Sequence, residues 1–267
     1  MTTLLLQDRE ELLLAASAPN HLSYSRISRY AQCPEQYRFY YVVGLRLKAP
    51  GAGLVFGQFL HQALAHLFQH RGDPVAYFQE LWQQVKDAEL SYSARDNWAT
   101  LKEKGTRLIE RFLTEAVPRL ETVEASEKPF ELAISGLDRP FVGIIDLVAI
   151  MAAKRTIIDF KSAAASYEDY EVILSDQLTA YLMAESQAQQ CALCVLVKTK
   201  EPKIEWHFAE RDTDRILRYL HKVEFIGRAI ERAEFYQRPG KWCAWCDFLP
   251  LCLGQQDQTK SQFVCVH

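Results

Sequence analysis

The alternation of apolar and polar positions predicts two adjacent β-strands at the centre of the chain. Residues 142–162 read VGIIDLVAIMAAKRTIIDFKS, in which two β-branched apolar runs flank a short stretch at 151–154. Runs of this kind joined by a few residues are typical of a β-hairpin. If the turn centres between Ala152 and Ala153, Asp146 lies directly opposite Asp159, because the two are equally far from that centre.

Each of these strands carries an acidic residue that an ordinary buried strand would not contain. Asp159 and Lys161 are two positions apart and share one strand face, whereas Phe160 faces the core. Opposed residues have Cβ atoms about 5 Å apart, so Asp146 and Asp159 would repel each other. A divalent cation removes that repulsion, and oxygen ligands suit Mg²⁺ or Mn²⁺. The alternative is two core carboxylates satisfied by arginines or backbone N–H groups.

Helical periodicity marks two segments before the hairpin. Residues 25–41 predict a helix capped by Ser25 and a second helix opened by Pro34. Residues 51–57 predict a glycine-containing loop that leads into another helix. On that helix His61 shares a face with apolar residues three, four and seven positions on, so it points toward the core. By itself this pattern fits a satisfied core histidine or a metal ligand.

The remaining elements follow from periodicity and turn signals. Gln177 and Tyr181 are four apart on a helix for which Ser175 is the predicted N-cap. The other predicted elements are an amphipathic, polar-rich helical segment at 73–121, a first strand at 127–135, paired strands at 191–197 and 204–208, and a long helix at 211–235.

Composition limits the classes of function. The chain has 267 residues, is 49% hydrophobic and has a net charge of −3, which is not the charge of a protein that coats DNA non-specifically. A nucleic-acid substrate would therefore need a local basic surface. Lys198, Lys200 and Lys203 could meet phosphates or simply solubilise a turn. No apolar run reaches membrane-spanning length and no signal peptide is evident, so we expect a cytoplasmic location.

The seven cysteines are expected to be thiols or metal ligands in that compartment. Cys243, Cys246 and Cys252 form a C-x2-C-x5-C array shielded by tryptophans, which indicates metal ligation. A four-thiolate site needs one more ligand, and Cys33, which precedes Pro34, is the candidate. The metal could be zinc, and the alternative to any metal is that these cysteines only pack in the core. Cys191 and Cys194 face opposite sides of a strand and are assigned to packing, and Cys265 has no assigned role.

These motifs resemble the PD-(D/E)xK nuclease superfamily, in particular its RecB-like exonuclease branch. G-I-I-D followed by I-I-D-F-K-S is similar to the catalytic hairpin of that branch, with Ile144 in place of an Arg and Ser162 in place of a Thr. His61 matches a metal-binding histidine, and Gln177 with Tyr181 matches the Q-x-x-x-Y motif. One distant cysteine plus a close trio is the spacing that RecB-like and CRISPR-associated exonucleases use for a [4Fe–4S] cluster. Glu127 matches a glutamate of the family, with either a functional or a structural role.

The resemblance implies an α/β fold with a mixed central sheet and an αβββαβ core. It implies one nuclease domain over residues 21–267, after a lead-in at 1–20. Within that domain, a helical insert spans 73–121 and an iron–sulfur-bound subdomain combines 21–41 with 236–254.

The resemblance also implies a metal-dependent DNA exonuclease, acting on single strands or single-stranded ends in repair or recombination. His61, Asp146, Asp159 and the Phe160 carbonyl would hold Mg²⁺ or Mn²⁺, and the four cysteines Cys33, Cys243, Cys246 and Cys252 would hold the cluster. Lys161 would orient the attacking water or offset developing charge, and Gln177 and Tyr181 would position the strand. A helicase or integrase subunit is a possible partner. The alternatives are a CRISPR-adaptation nuclease that trims DNA before integration and a non-catalytic, cluster-containing DNA-binding subunit.

Overall fold

A computed structural model describes residues 21–255 and 261–266 of the chain. The predicted lead-in at 1–20 lies outside the described residues. The chain packs as two units. Among the described residues, we call 21–49, 131–142, 220–255 and 261–266 the terminal unit, and 50–130 with 143–219 the sheet unit. No helix among the described residues is long and apolar enough to cross a membrane.

The terminal unit combines both ends of the chain. Its elements are α1 (Tyr24–Gln32), α2 (Pro34–Tyr37), a π-helical turn (Arg38–Val42), β1 (Leu45–Leu47), a 3₁₀ turn (Lys241–Trp245), α9 (Leu249–Cys252) and β7 (Phe263–Cys265). Pro34 opens α2, as predicted. The N-cap of α1 is Ser23 rather than Ser25, because the Ser23 hydroxyl accepts from the Arg26 backbone N–H.

Two features hold the C-terminal segment against the N-terminal one. Strands β1 and β7 pair antiparallel, with Arg46 opposite Val264. Beside them, Phe39, Phe248 and Phe263 form a small buried cluster in which the Phe248 and Phe263 rings stack at 5.4 Å. The C-terminal segment therefore has apolar and backbone contacts of its own.

The sheet unit contains the helices and strands of the predicted core. They are α3 (Ala52–His70), α4 (Pro74–Gln84), α5 (Trp98–Arg111), a π-helical turn (Phe112–Ala116), a 3₁₀ turn (Val117–Arg119), β2 (Thr122–Leu132), β3 (Phe141–Met151), β4 (Lys154–Ala163), α6 (Asp169–Ile173), α7 (Asp176–Ala184), β5 (Gln190–Val197) and β6 (Lys203–Ala209). A further helix, α8 (Thr213–Glu231), begins in the sheet unit and ends in the terminal unit. Strands β2 and β3 also extend for two residues into the terminal unit.

The five strands form one mixed sheet in the order β2-β3-β4-β5-β6. The hairpin has the predicted register, since Leu147 pairs with Ile158 and Met151 with Lys154. Ala152 and Ala153 both have positive φ, 47° and 59°, which is the geometry of a two-residue type I′ turn. β4 pairs parallel with β5, and β5 antiparallel with β6. The predicted α/β class with a mixed sheet is confirmed.

Helices cover both faces of the sheet. One face packs on α3, α4 and α5 through residues such as Phe160 and Cys194, and the other packs on α7 through residues such as Val148 and Cys191. Cys191 and Cys194 thus lie on opposite faces, as their spacing predicted. Order along the chain is α3, β2-β3-β4, α7, β5, which is the αβββαβ arrangement, with α4 and α5 between α3 and β2.

Three boundaries differ from the sequence prediction. The predicted loop at 51–57 belongs to α3, where Gly57 lets the helix approach β4: a Cβ there would lie 3.0 Å from the Ser162 hydroxyl. β2 begins at Thr122 because edge strands tolerate exposed polar residues. The segment between β4 and α7, for which the pattern predicted no element, contains the short helix α6, whose Glu168 and Glu171 form a capping box.

Candidate active site

The candidate site lies where β3 and β4 separate. Their backbone pairing ends at Leu147–Ile158, one residue before Asp146 would face Asp159. At that point the Asp146 carboxylate replaces a backbone acceptor, because its Oδ2 accepts a hydrogen bond of 2.8 Å from the Phe160 N–H. The hairpin therefore opens at its two acidic residues, and Asp146 is fixed by the neighbouring strand.

Asp159 is the most buried carboxylate of the site. It is 1% exposed, and its Oδ2 lies 2.6 Å from the Lys161 ammonium. Its Oδ1 has no hydrogen-bond partner among the described residues. Burial raises the pKa of Asp159 to about 6, the Lys161 charge opposes that rise and the Asp146 charge adds to it. A buried carboxylate oxygen without a hydrogen-bond partner is suited to bind a cation.

His61 approaches the same carboxylates from α3. Its Nδ1 lies 3.4 Å from Asp146 Oδ2, and its ring meets the Phe160 ring edge-on. Burial lowers the pKa of His61, but the hydrogen bond and charge of Asp146, with the charge of Asp159, outweigh burial and raise it. His61 is therefore a partner of a carboxylate and not an isolated core histidine.

Lys161, Gln177 and Tyr181 form a chain of hydrogen bonds between β4 and α7. The Lys161 ammonium donates to Gln177 Oε1 at 2.7 Å, and Gln177 Nε2 donates to the Tyr181 hydroxyl at 2.7 Å. Burial, followed by the charges of Asp159 and Asp146, raises the pKa of Tyr181 well above its usual value. Tyr181 is thus a neutral phenol at physiological pH, and Gln177 orients the lysine.

Glu127 is the residue whose role sequence reasoning left open. It has a φ of 50° inside the edge strand β2, beside Lys128 and Pro129, so the strand is irregular at this position. Glu127 lines a cavity together with His61 and Asp146. Burial and then the Asp146 charge raise the pKa of Glu127, while His61 opposes the rise. A proline within a strand pattern is a sequence signal for an irregular strand.

Comparison with known proteins identifies the family. The model of the PD-(D/E)XK nuclease superfamily matches residues 21–253. The chain belongs to the PD-(D/E)XK nuclease superfamily. No curated protein matches it.

Three solved structures are similar to this PD-(D/E)XK family member at low sequence identity. A candidate exonuclease from Eubacterium rectale has a TM-score of 0.55 and 12% identity, covering 85% of this chain and 87% of its own. SSO0001 has a TM-score of 0.43 and 16% identity, covering 95% and 96%. LHK-Exo, solved in complex with dAMP, has a TM-score of 0.31 and 12% identity, covering 76% and 98%.

The side chains at the PD-(D/E)XK hairpin suit a divalent metal by donor type. Asp146 and Asp159 supply carboxylate oxygens, the donors that Mg²⁺ and Mn²⁺ prefer, and His61 of α3 adds an imidazole nitrogen beside them. Within the part of the chain that the structure describes, no three His, Cys, Asp or Glu side chains are already arranged to hold an ion. The unpartnered Asp159 Oδ1 is the observation that favours a cation here.

The terminal unit of this PD-(D/E)XK family member gathers the four cysteines predicted to act together. They line one cavity of about 280 Å³ with Phe248 and Trp242; the four are Cys33, Cys243, Cys246 and Cys252. Burial, and then the charges of the other three thiols and Glu35, raises the pKa of Cys252 to about 11. Their side chains are not in a metal-holding arrangement, but the donor set for a four-thiolate group is present in one cavity.

Proposed function

We propose that this protein is a metal-dependent DNA exonuclease that hydrolyses phosphodiester bonds, with single strands as its substrate. The observation that carries the proposal is Asp159. It is 1% exposed, and its Oδ1 has no hydrogen-bond partner among the described residues. Its Oδ2 lies 2.6 Å from the Lys161 ammonium, the only cationic group of the described residues that forms an ion pair with it. Burying a carboxylate in this way costs free energy of folding, and a bound cation would offset that cost.

The side chains divide the chemistry between them. His61, Asp146, Asp159 and the Phe160 carbonyl would hold Mg²⁺ or Mn²⁺, which when bound polarises the scissile phosphate and lowers the pKa of a bound water. Lys161, held by Asp159 and Gln177, would direct an N–H toward the attacking water or the charged oxygens.

Gln177 has two roles in this proposal. Its Oε1 holds Lys161 and its Nε2 holds the Tyr181 hydroxyl, so both partners keep fixed positions when the strand enters. Gln177 and Tyr181 would thereby position the nucleic acid beside the reacting phosphate.

A basic surface in the terminal unit supports a nucleic-acid substrate. The guanidinium groups of Arg29 and Arg46 lie 3.8 and 3.4 Å from the centroid of the Tyr40 ring, and that of Arg26 lies 4.4 Å from the Tyr41 ring. No carboxylate of the described residues forms an ion pair with these three arginines. Guanidinium groups without a carboxylate partner beside aromatic rings suit phosphates and bases, and Arg29 and Arg46 would supply the local basic surface that a chain with net charge −3 needs.

We further propose that Cys33, Cys243, Cys246 and Cys252 hold a [4Fe–4S] cluster, with zinc as the alternative. Their shared cavity in the terminal unit supports this assignment. The cluster would add a covalent link between segments 21–41 and 236–254, which the packing of Phe39 on Phe248 already connects.

The decisive test is cleavage of DNA by the wild-type protein and Lys161→Ala. Anaerobically purified protein is incubated with Mn²⁺ and single strands labelled at either end, and products are resolved on a gel. We expect the wild type to shorten the strand stepwise and Lys161→Ala to be slower by about 10²–10³-fold. Lys86→Ala, an exposed lysine outside the site, is the matched control. If wild type and Lys161→Ala degrade DNA equally slowly, the protein is a binding subunit.

A further inference from the structure

The cavity that contains the proposed active-site residues extends beyond them. This cavity of about 320 Å³ is shared by His61, Glu127 and Asp146 and by residues of α3, α4 and β3 that the proposed chemistry does not use. Those additional residues are Gln62, Ala65, His66, Gln69, His70, Tyr77 and Ile144. A volume of this size lies within the range of pockets that bind small organic groups.

Away from the proposed metal ligands, the lining of the cavity offers no cationic side chain for a phosphate. The lining includes the carboxylates of Glu127 and Asp146 and no lysine or arginine. It also includes apolar surface, because Ile144 is 51% exposed although it lies in a strand. A neutral, flat group with hydrogen-bonding edges suits such a lining, since it meets apolar contacts, amides and imidazoles without charge repulsion.

An aromatic stack stands in this part of the cavity. The His66 ring lies parallel to the Tyr77 ring, with centroids 4.2 Å apart and planes at 15°, and the His70 ring lies 5.3 Å from His66. Gly72 makes room for this stack: a Cβ at that position would lie 2.0 Å from His66 Nε2. The His66 ring is therefore held between Tyr77 and the backbone of the turn that joins α3 to α4.

We infer that His66, Tyr77 and Ile144 form a subsite for the nucleobase of a nucleotide adjacent to the cleaved phosphodiester. A base has the shape and neutrality that the lining requires, and aromatic stacking accepts any base. The inference rests on the proposed nuclease function, since it places the base of the same strand whose phosphate the carboxylates approach. Base contact at this position would make cleavage depend on an intact nucleotide and not on the phosphate backbone alone.

The test is equilibrium binding to two strands that differ only in their bases. One is fluorescein-labelled oligothymidylate, and the other has tetrahydrofuran abasic residues throughout; anisotropy is measured in Ca²⁺. We expect the wild type to prefer oligothymidylate. Tyr77→Ala should weaken its binding by about 5- to 150-fold, the range for losing one base–aromatic stack, and leave the abasic strand unchanged. Tyr77→Phe, which keeps the ring, should bind like the wild type.

Two more variants separate loss of stacking from loss of fold. Gly72→Ala displaces the His66 ring, and with it the stack on Tyr77, while the Tyr77 side chain itself is unchanged; it should also weaken only the oligothymidylate complex. Tyr170→Ala removes an exposed tyrosine outside the cavity and should change neither. Equal weakening of both strands by Tyr77→Ala, or equal wild-type affinity for them, would overturn the subsite. If the protein prefers oligothymidylate but cleaves neither strand with Mn²⁺, the base subsite is supported and the proposed nuclease function is refuted.

Discussion

Replacing Asp159 by Asn should make the metal-free protein more stable and remove metal binding. The folded chain holds this carboxyl at 1% exposure and raises its pKa from 3.8 to about 6, chiefly through burial. At neutral pH Asp159 is therefore ionised against the preference of its surroundings. Asparagine has nearly the shape of the protonated acid, so Asp159→Asn gives the folded state the form that it prefers.

The magnitude follows from the shift of the pKa. Because the folded-state pKa is the higher one, Asp159 contributes stability that is complete below about pH 4 and is lost as the pH rises through about 6. Each unit of pKa corresponds to 1.36 kcal/mol, so a shift from 3.8 to about 6 corresponds to about 3 kcal/mol at pH 8. The Lys161 ion pair is already part of this shift, because its attraction lowers the same pKa.

Thermal unfolding in a chelating buffer measures this difference. Near pH 4, wild type and Asp159→Asn should unfold at the same temperature. At pH 8 the variant should unfold roughly 6–12 °C higher, taking 2–4 °C per kcal/mol for a chain of this size. Adding Mn²⁺ should raise the midpoint of the wild type and not that of the variant, because a ligand stabilises only the state that binds it. Asp87→Asn, an exposed carboxylate of the sheet unit, is the control and should show neither effect.

A particular result would refute this reasoning. If Asp159→Asn unfolds below the wild type at pH 8 in the absence of metal, the carboxylate stabilises the fold and its burial is structural. A difference in midpoint that stays constant from pH 4 to pH 8 would show that the ionisation of Asp159 has no part in it. Either outcome would remove the argument for a cation at this carboxylate.

Three further predictions follow from the same geometry. Asp146→Asn keeps an oxygen for the Phe160 N–H but is a poorer ligand for a hard cation, so calorimetry should show weaker Mn²⁺ binding with the fold intact; unchanged affinity would remove Asp146 from the ligand set. Cys246→Ala should abolish visible absorbance and lower the unfolding temperature, whereas Cys194→Ala should keep the colour; stoichiometric zinc without iron in anaerobic protein would contradict the cluster. Arg29→Gln should reduce the slope of log affinity for single-stranded DNA against log salt concentration by about 1. Arg218 is paired with Asp214, so Arg218→Gln is the control and should leave the slope unchanged. A wild-type slope that implies about ten phosphate contacts would contradict a local basic surface.

The hairpin could be predicted from the sequence because its determinants are local. Two apolar runs of strand character are separated by a short stretch, and the residues equally far from its centre must pair. The observed pairing of Leu147 with Ile158 and Met151 with Lys154 follows that rule. The shared face of Asp159 and Lys161, and the opposite face of Phe160, follow from the period of a strand and are present as predicted.

The remaining features depend on contacts between segments far apart in the sequence. Periodicity turned His61 toward the core but could not show that Asp146, 85 positions later in the chain, would lie 3.4 Å from it. The apolar and polar pattern also does not predict that the β3–β4 pairing ends at Leu147, because the apolar run continues through Ile144 and Ile145. The choice of Ser23 over Ser25 as a cap depends on where the preceding backbone is extended, and both serines fit the pattern.

The backbone at Glu127 shows why this carboxylate belongs with the site. Among the described residues other than glycine, the positive φ angles at Ala152 and Ala153 are required by a type I′ turn, and those of Arg71 and Ala233 by the ends of helices. Glu127 lies inside a strand, where no turn requires such an angle, and a left-handed backbone there costs about 1–2 kcal/mol. Its carboxylate also lies near enough to Asp146 for the charge of Asp146 to raise its pKa. Glu127 therefore has a strained backbone and is repelled by Asp146, and Asp159 is destabilised by burial. A bound cation would offset both electrostatic costs, the repulsion at Glu127 and the burial of charge at Asp159.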